Sequence, residues 1–225
     1  MNYTYFGHSC FLFEFERTKI LIDPFITPNP AAAQIQIDTL ECSHILLSHG
    51  HVDHVADAEA IARKNNAVIV AGYEVASWFG SKGLQHHPMN TGGSLSINDV
   101  RIKTVNAVHS SVLPDGTHGG SPLGFLFTHA GKTLYYSGDT ALTMDMELIG
   151  RYDAPHHSFL CMGDQFTMGF EDAVRASQMV KSNHVTAMHF DTFPPIVLDR
   201  TASQIAFEKA GIALTIPEIG KTYTI

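Results

Sequence analysis

Cysteine, tryptophan and basic residues are scarce in this chain of 225 residues, and each shortage excludes something. Three cysteines (Cys10, Cys42 and Cys161) form an odd and sparse set, which argues against a disulfide framework. No apolar run approaches the length needed to span a bilayer, and the first residues carry no basic segment leading into a long apolar one. A soluble, cytoplasmic protein is the expectation. The balance of 14 Lys+Arg against 22 Asp+Glu gives a formal net charge of −8, with no Lys/Arg cluster anywhere. That is the opposite of a nucleic-acid-binding surface, although a small phosphorylated substrate stays open. Repeats, low-complexity tracts and linker-like stretches are also missing, so residues 1–225 read as a single domain. With 44% hydrophobic residues, 14 Phe and 7 Tyr, that domain can bury a substantial core.

Histidine is the one residue in excess: 14 copies, as many as Lys and Arg together. Three of them crowd into His49-Gly-His51-Val-Asp53-His54, at the end of the apolar run Ile45–Ser48. Imidazole and carboxylate are the ordinary ligands of Zn, Mn and Fe ions, so this stretch reads as a metal-binding loop between a strand and a helix. Gly50 is expected to let the backbone turn tightly between the first two histidines.

Around this loop the chain alternates between two periodicities. Tyr3–Phe6, Cys10–Phe15 and Lys19–Ile22 are short aromatic or β-branched runs separated by turns, which predicts a small antiparallel sheet. Helical spacing of Val55, Ala58, Ile61 and Ala62 predicts one helix over Val55–Asn65, followed by a strand at Ala67–Ala71 and a helix at Val75–Phe79. Two hairpins follow, Ser94–Ile97 with Val100–Val105 and Leu123–Thr128 with Thr133–Ser137. The remainder predicts helices at Thr143–Gly150, Glu171–Ser182 and Asp199–Ala210, and strands at His157–Met162, Val185–His189, Ala213–Ile216 and Thr222–Ile225. Helices covering the outside of two packed sheets is the layer logic this suggests.

Strand ends are where folds gather functional groups, and three more donors sit there. His109 follows Val100–Val108, Asp139 follows Leu134–Gly138, and His189 follows Val185–Met188. Asp23 ends the third strand and is a candidate to fix a ligand imidazole from behind, or else a satisfied loop-capping residue before Pro24. His8, in a turn between strands, is a candidate general acid or a structural histidine. His118, in a Gly-rich stretch, is a candidate substrate contact, although a lone loop histidine is more often solvated. Phe166 and Met168 are candidates to line a pocket, or simply to pack. His44, His86, His87, His129, His156, His157 and His184 read as structural or surface residues.

Taken together, the His49/His51/Asp53/His54 cluster with His109, Gly138-Asp139-Thr140 and His189 resembles the metallo-β-lactamase-fold superfamily. Gly7-His8-Ser9, Leu21–Pro24, Gly119–Gly124 and Gly163–Gly169 resemble a narrower branch. That branch holds uncharacterised metal-dependent hydrolases related to ascorbate-phosphate lactonases and N-acyl-lipid phosphodiesterases. The resemblance implies an α/β, four-layer αββα sandwich with two divalent ions at one edge, zinc first, with manganese, iron or nickel as alternatives. It implies that His49, His51 and His109 hold one ion and Asp53, His54 and His189 the other, with Asp139 bridging. The absence of a cysteine at a suitable strand end, with Asp139 present, disfavours antibiotic hydrolysis.

The function so implied is hydrolysis of an ester, lactone or phosphodiester of a small molecule, with Asp53 orienting the water and accepting its proton. Two other readings are a phosphodiesterase on lipid or nucleotide substrates and a non-catalytic metal-binding or ligand-sensing module. The second would be expected to have lost a ligand, and none is missing. Redox relatives carry Glu in place of His51 and an added flavin domain, neither of which is present. The sequence also admits a homo-oligomer.

Overall fold

The computed structural model describes all residues from Met1 to Ile225. Its first sheet is built from β1 (Asn2–Gly7), β2 (Cys10–Glu14), β3 (Lys19–Ile22), β4 (His44–Leu47), β5 (Val68–Gly72) and β6 (His86–Met89), closed on the β1 side by β14 (Thr222–Thr224). β1, β2 and β3 pair antiparallel, whereas β3, β4, β5 and β6 run parallel. The second sheet holds β7 (Ser94–Ile97), β8 (Val100–Asn106), β9 (Leu123–His129), β10 (Lys132–Tyr136), β11 (His157–Cys161), β12 (His184–Met188) and β13 (Ala213–Thr215). Its order repeats the plan of the first: antiparallel from β7 to β10, parallel from β10 to β13.

Side-chain alternation explains the layering. In the first sheet Phe11, Phe13, Ile20, Ile22, Leu46 and Val70 belong to the larger core, between the sheets, while Leu12, Leu21, Ile45, Leu47, Ile69 and Ala71 point the other way. The two sheets meet through aromatic rings: Phe13 lies 5.4 Å from Phe127 and 4.8 Å from Phe159, and Tyr3 lies 4.9 Å from Phe159. The opposite face of the first sheet is covered by α2 (Ala58–Asn65) and α3 (Tyr73–Ser81), which supply Ile61, Val75 and Phe79. The second sheet is covered by α4 (Asp145–Tyr152), α5 (Phe170–Val180) and α6 (Arg200–Lys209), which supply Ile149, Ala176 and Phe207. The result is the αββα sandwich expected from the sequence. No helix is long and apolar enough to cross a membrane.

Three expectations need correction. The helix predicted over Val55–Asn65 is two: a single turn, α1 (Val52–Val55), and then α2. Asp57 separates them, its Oδ2 accepting the Ile26 and Thr27 backbone N–H groups at 2.7 and 2.9 Å and so tying the break to the loop after β3. β6 was not expected at all. Its Pro88 and two histidines do not read as a strand, yet an edge strand tolerates a proline. Gly50 has no left-handed φ. A Cβ there would lie 3.2 Å from both Leu113 Cγ and Val112 O, so close packing, not an unusual turn, calls for glycine.

Candidate metal centre

All the loops that matter leave the same edge of the sandwich, past the C-terminal ends of β3, β4, β8, β10, β11 and β12. Ligands gather at such edges of parallel sheets. The loop after β4 carries His49 and His51, and α1 carries Asp53 and His54. Leu113 and Val112 press on Gly50, and the Gly50 N–H donates to Ser111 Oγ at 3.0 Å, which brings the loop of His109 against the motif. Thr140 Oγ1 accepts the Val108 N–H at 2.9 Å and Ala141 N–H donates to Val108 O at 3.1 Å, fixing His109 beside Asp139. Gly138, just before Asp139, has φ 62°, and a Cβ there would lie 2.5 Å from Leu123 O. Only glycine fits that approach.

The seven ligand candidates converge. His49, His51 and His109 form one group whose donor atoms lie within 4.8 Å of one another, and His49, His54 and Asp139 form a second. Asp53, His54 and His189 form a third, which His8 joins. Asp139 stands between: its Oδ2 is 2.9 Å from His189 Nε2, 3.3 Å from His54 Nε2 and 3.7 Å from His109 Nε2. His49, His54, Asp139 and His189 are buried, whereas His51, Asp53 and His109 are half-buried and face the opening.

A set of supports behind the donors fixes their chemistry. Asp23 Oδ2 takes His54 Nδ1 at 2.9 Å and Ser48 Oγ at 2.6 Å, and its Oδ1 accepts the Ser48 N–H at 2.8 Å. Tyr136 OH donates to the same Oδ2 at 2.7 Å. Ser48 Oγ, its proton committed to Asp23, accepts His49 Nδ1 at 2.9 Å. Both imidazoles therefore carry their proton on Nδ1 and turn Nε2 toward the cluster. The sequence singled out Asp23 for this place. It missed Ser48 and Tyr136, although Ser48 directly precedes His49.

His8 is fully buried, with Nε2 3.1 Å from Asp53 Oδ2 and Nδ1 2.9 Å from Thr192 Oγ1. Both ring nitrogens are thus engaged, and its backbone oxygen accepts the His189 N–H at 2.8 Å. His8, Asp23 and His189 all hold left-handed backbone angles, φ 55°, 44° and 55°. Each costs on the order of 1 kcal/mol or more, and such strain concentrates at functional sites. His118 stays outside the cluster: it is exposed, and its Nδ1 accepts the Gly120 N–H at 3.0 Å. Phe166 and Phe193 line the 160 Å³ cavity over the donors, while Met168 packs into the core.

Electrostatics favour a cation at the centre. Burial works against a charged His54, yet the Asp139 and Asp23 carboxylates outweigh it and push its pKa well above the ordinary range. Burial likewise opposes a charged Asp139, but His189 and His54 hold its carboxyl well below the usual range. His49, buried and beside His54, is pushed well below its ordinary value and stays a neutral donor. His54 Nε2 and Asp139 Oδ1 are buried without any hydrogen-bond partner. A neutral His49, the Asp139 carboxylate and two buried ligand atoms without hydrogen-bond partners fit a divalent metal ion, which would supply the positive charge that the carboxylates otherwise draw onto His54 as a proton.

The comparisons agree with this geometry. A family model described as "Beta-lactamase superfamily domain" matches residues 18–190. A "UPF0173 metal-dependent hydrolase" of Flavobacterium johnsoniae is 44% identical over 99% of both chains, and one of Christiangramia forsetii is 40% identical over 99% of both. The structure of Igni18, a metallo hydrolase from Ignicoccus hospitalis, superposes with a TM-score of 0.90 at 32% identity, covering 100% of this chain and 98% of that one. The chain belongs to the β-lactamase superfamily, in its branch of UPF0173 metal-dependent hydrolases. It is a metal-dependent hydrolase.

Proposed function

We propose that the chain, acting as one domain, is a dinuclear hydrolase of a small molecule, cytoplasmic and using zinc in the first instance. The observation that carries this is Asp139, whose Oδ2 faces donors of both histidine groups. His49, His51 and His109 would hold one ion; Asp53, His54 and His189 the other; Asp139 would contact both. Divalent ions held there would supply Lewis acidity, lowering the pKa of water at the site toward about 7 and polarising the bond under attack.

The protein's own residues do the rest. Asp53 is partly exposed at the mouth, with Oδ2 held by His8, so it is placed to orient a water molecule and take its proton. Burial opposes its ionisation, but the hydrogen bond from His8 wins and lowers its pKa, keeping it an acceptor. His8 serves as a positioning residue: with Nδ1 on Thr192 and Nε2 on Asp53, it fixes the carboxylate instead of meeting substrate. Burial, and then His189, push His8 down to about 4, so it stays neutral. Asp23 and Ser48 lock the His54 and His49 tautomers. Phe166 and Phe193 exclude water from one side of the cavity.

The test is a panel of ester, lactone, thioester and phosphodiester substrates offered to chelated and metal-restored protein. Turnover that vanishes with chelation, returns with a divalent ion and is lost in Asp53→Ala supports the reading. Turnover indifferent to chelation contradicts it.

A further inference from the structure

The walls of the metal cavity carry more information than its ligands. Its lining is His51, Asp53, His109, Asp139 and His189 on one side, Phe166 and Phe193 on the other, with no cationic side chain. That absence extends well past the cavity. The segments meeting at this edge (residues 23–30, 48–57, 106–122, 137–144, 162–169 and 189–199) contain no lysine or arginine at all. Arg200, next in the chain, has its guanidinium on Asp191 at 2.7 Å and lines a separate cavity. Sites that recognise phosphate or carboxylate groups characteristically present such side chains in addition to the charge a bound ion supplies.

The apolar side is displayed, not packed. Within the loop from Gly163 to Gly169, Met168 is 2% exposed and Phe166 is 51% exposed. Backbone bonds from Asp164 N–H to Met168 O and from Met168 N–H to Thr140 O, both 3.0 Å, hold that loop over Asp139. Phe193 is braced from behind, its ring 5.5 Å from His8 and 6.1 Å from Phe25. Val52 and Val108, adjacent in sequence to His51 and His109, are also about half exposed. An exposed apolar cluster around a polar centre marks a binding surface.

We propose that the substrate is an uncharged carbonyl compound, an ester, thioester or lactone, that seats a flat apolar group between Phe166 and Phe193. This rests on the hydrolase reading above and narrows it, setting the phosphodiester alternative aside. In the reaction, the water oxygen bonds to the carbonyl carbon and the bond to the leaving oxygen or sulfur breaks. The acid keeps the water's oxygen, and the leaving alcohol or thiol takes a proton.

Two measurements on zinc-loaded protein test the proposal. The first compares kcat/KM for p-nitrophenyl benzoate, mono-p-nitrophenyl succinate and bis(p-nitrophenyl) phosphate. The expected order places the neutral ester at least about tenfold ahead, and Phe166→Ala should lower its kcat/KM about tenfold, chiefly through KM. The second is saturation-transfer NMR with butyrophenone, a neutral ketone that cannot be hydrolysed. It should bind wild-type protein and lose most of its signal in Phe166→Ala, while phenyl phosphate gives none. Preference for the succinate or phosphate probe, or butyrophenone binding equal in both proteins, overturns the proposal. No turnover of any probe, with butyrophenone still bound at Phe166, supports the pocket and overturns the hydrolase reading instead.

Discussion

Asp23 shows how a single carboxylate organises the centre. It accepts from Ser48 N, Ser48 Oγ and Tyr136 OH and holds His54 Nδ1, all within 2.9 Å and without solvent. Removing it strands several buried donors, each costing about 1–3 kcal/mol. Asp23→Ala should therefore weaken metal binding by 10–100-fold and lower the urea midpoint of unfolding. Metal affinity unchanged by competitive chelator titration would refute its role behind His54. Gly138 poses the same question in backbone terms. Gly138→Ala meets both the positive φ and the 2.5 Å approach to Leu123 O, and should cost about 2 kcal/mol or more in a denaturant titration. A loss below about 0.5 kcal/mol would show that the turn can relax. At this scale the sequence was informative where donors follow apolar strands, which singled out His49, His109, Asp139, His189 and Asp23. Tyr136 and Thr192 were hidden because their partners lie far away in the chain: Tyr136 meets Asp23 across 113 positions and Thr192 meets His8 across 184. His8 was half legible. Its turn was visible, but its two hydrogen-bond partners, Asp53 and Thr192, lie 45 and 184 positions further along the chain.

Elements were legible wherever one face is buried and periodicity is clean. β3 and β7 match their predicted bounds, and most other strands differ by a residue or two at an end. β6 failed this test because only Met89 of its four residues is buried, and pairing with β5 alone makes it a strand. The break between α1 and α2 escaped because periodicity continues across it, while Asp57 turns to the loop after β3. A different long-range tie has a measurable pH signature. His157 Nε2, at the start of β11, and Tyr3 OH, on β1, both lie 2.8 Å from Thr186 Oγ1 on β12, joining the two sheets. Burial, and then repulsion from His184, push His157 down to about 4. The unfolded chain therefore protonates this histidine first, near pH 6.5. The contribution is fully present above that value and drains away as pH falls toward 4, by up to about 3 kcal/mol. His157→Gln, which keeps a donor to Thr186, should lose less stability than wild type between pH 7 and pH 4.5. Parallel losses in urea titrations of the two proteins would contradict this assignment.

For the whole molecule, the layered sandwich brings the loops that follow its parallel strands, from both sheets, to one rim, and that rim holds every ligand candidate. Composition is consistent with this: the chain is acidic, its histidines are plentiful, and no lysine or arginine lies in the rim segments. Family membership fixes the fold and the metal-dependent hydrolase activity; the proposed pair of ions rests on the place of Asp139 between two donor groups. The direct test is metal content per chain, measured by inductively coupled plasma mass spectrometry after dialysis against saturating zinc. Two ions per wild-type chain are expected, and one in His109→Ala, because that substitution opens only the group formed with His49 and His51. A single ion in saturated wild-type protein would contradict the dinuclear centre.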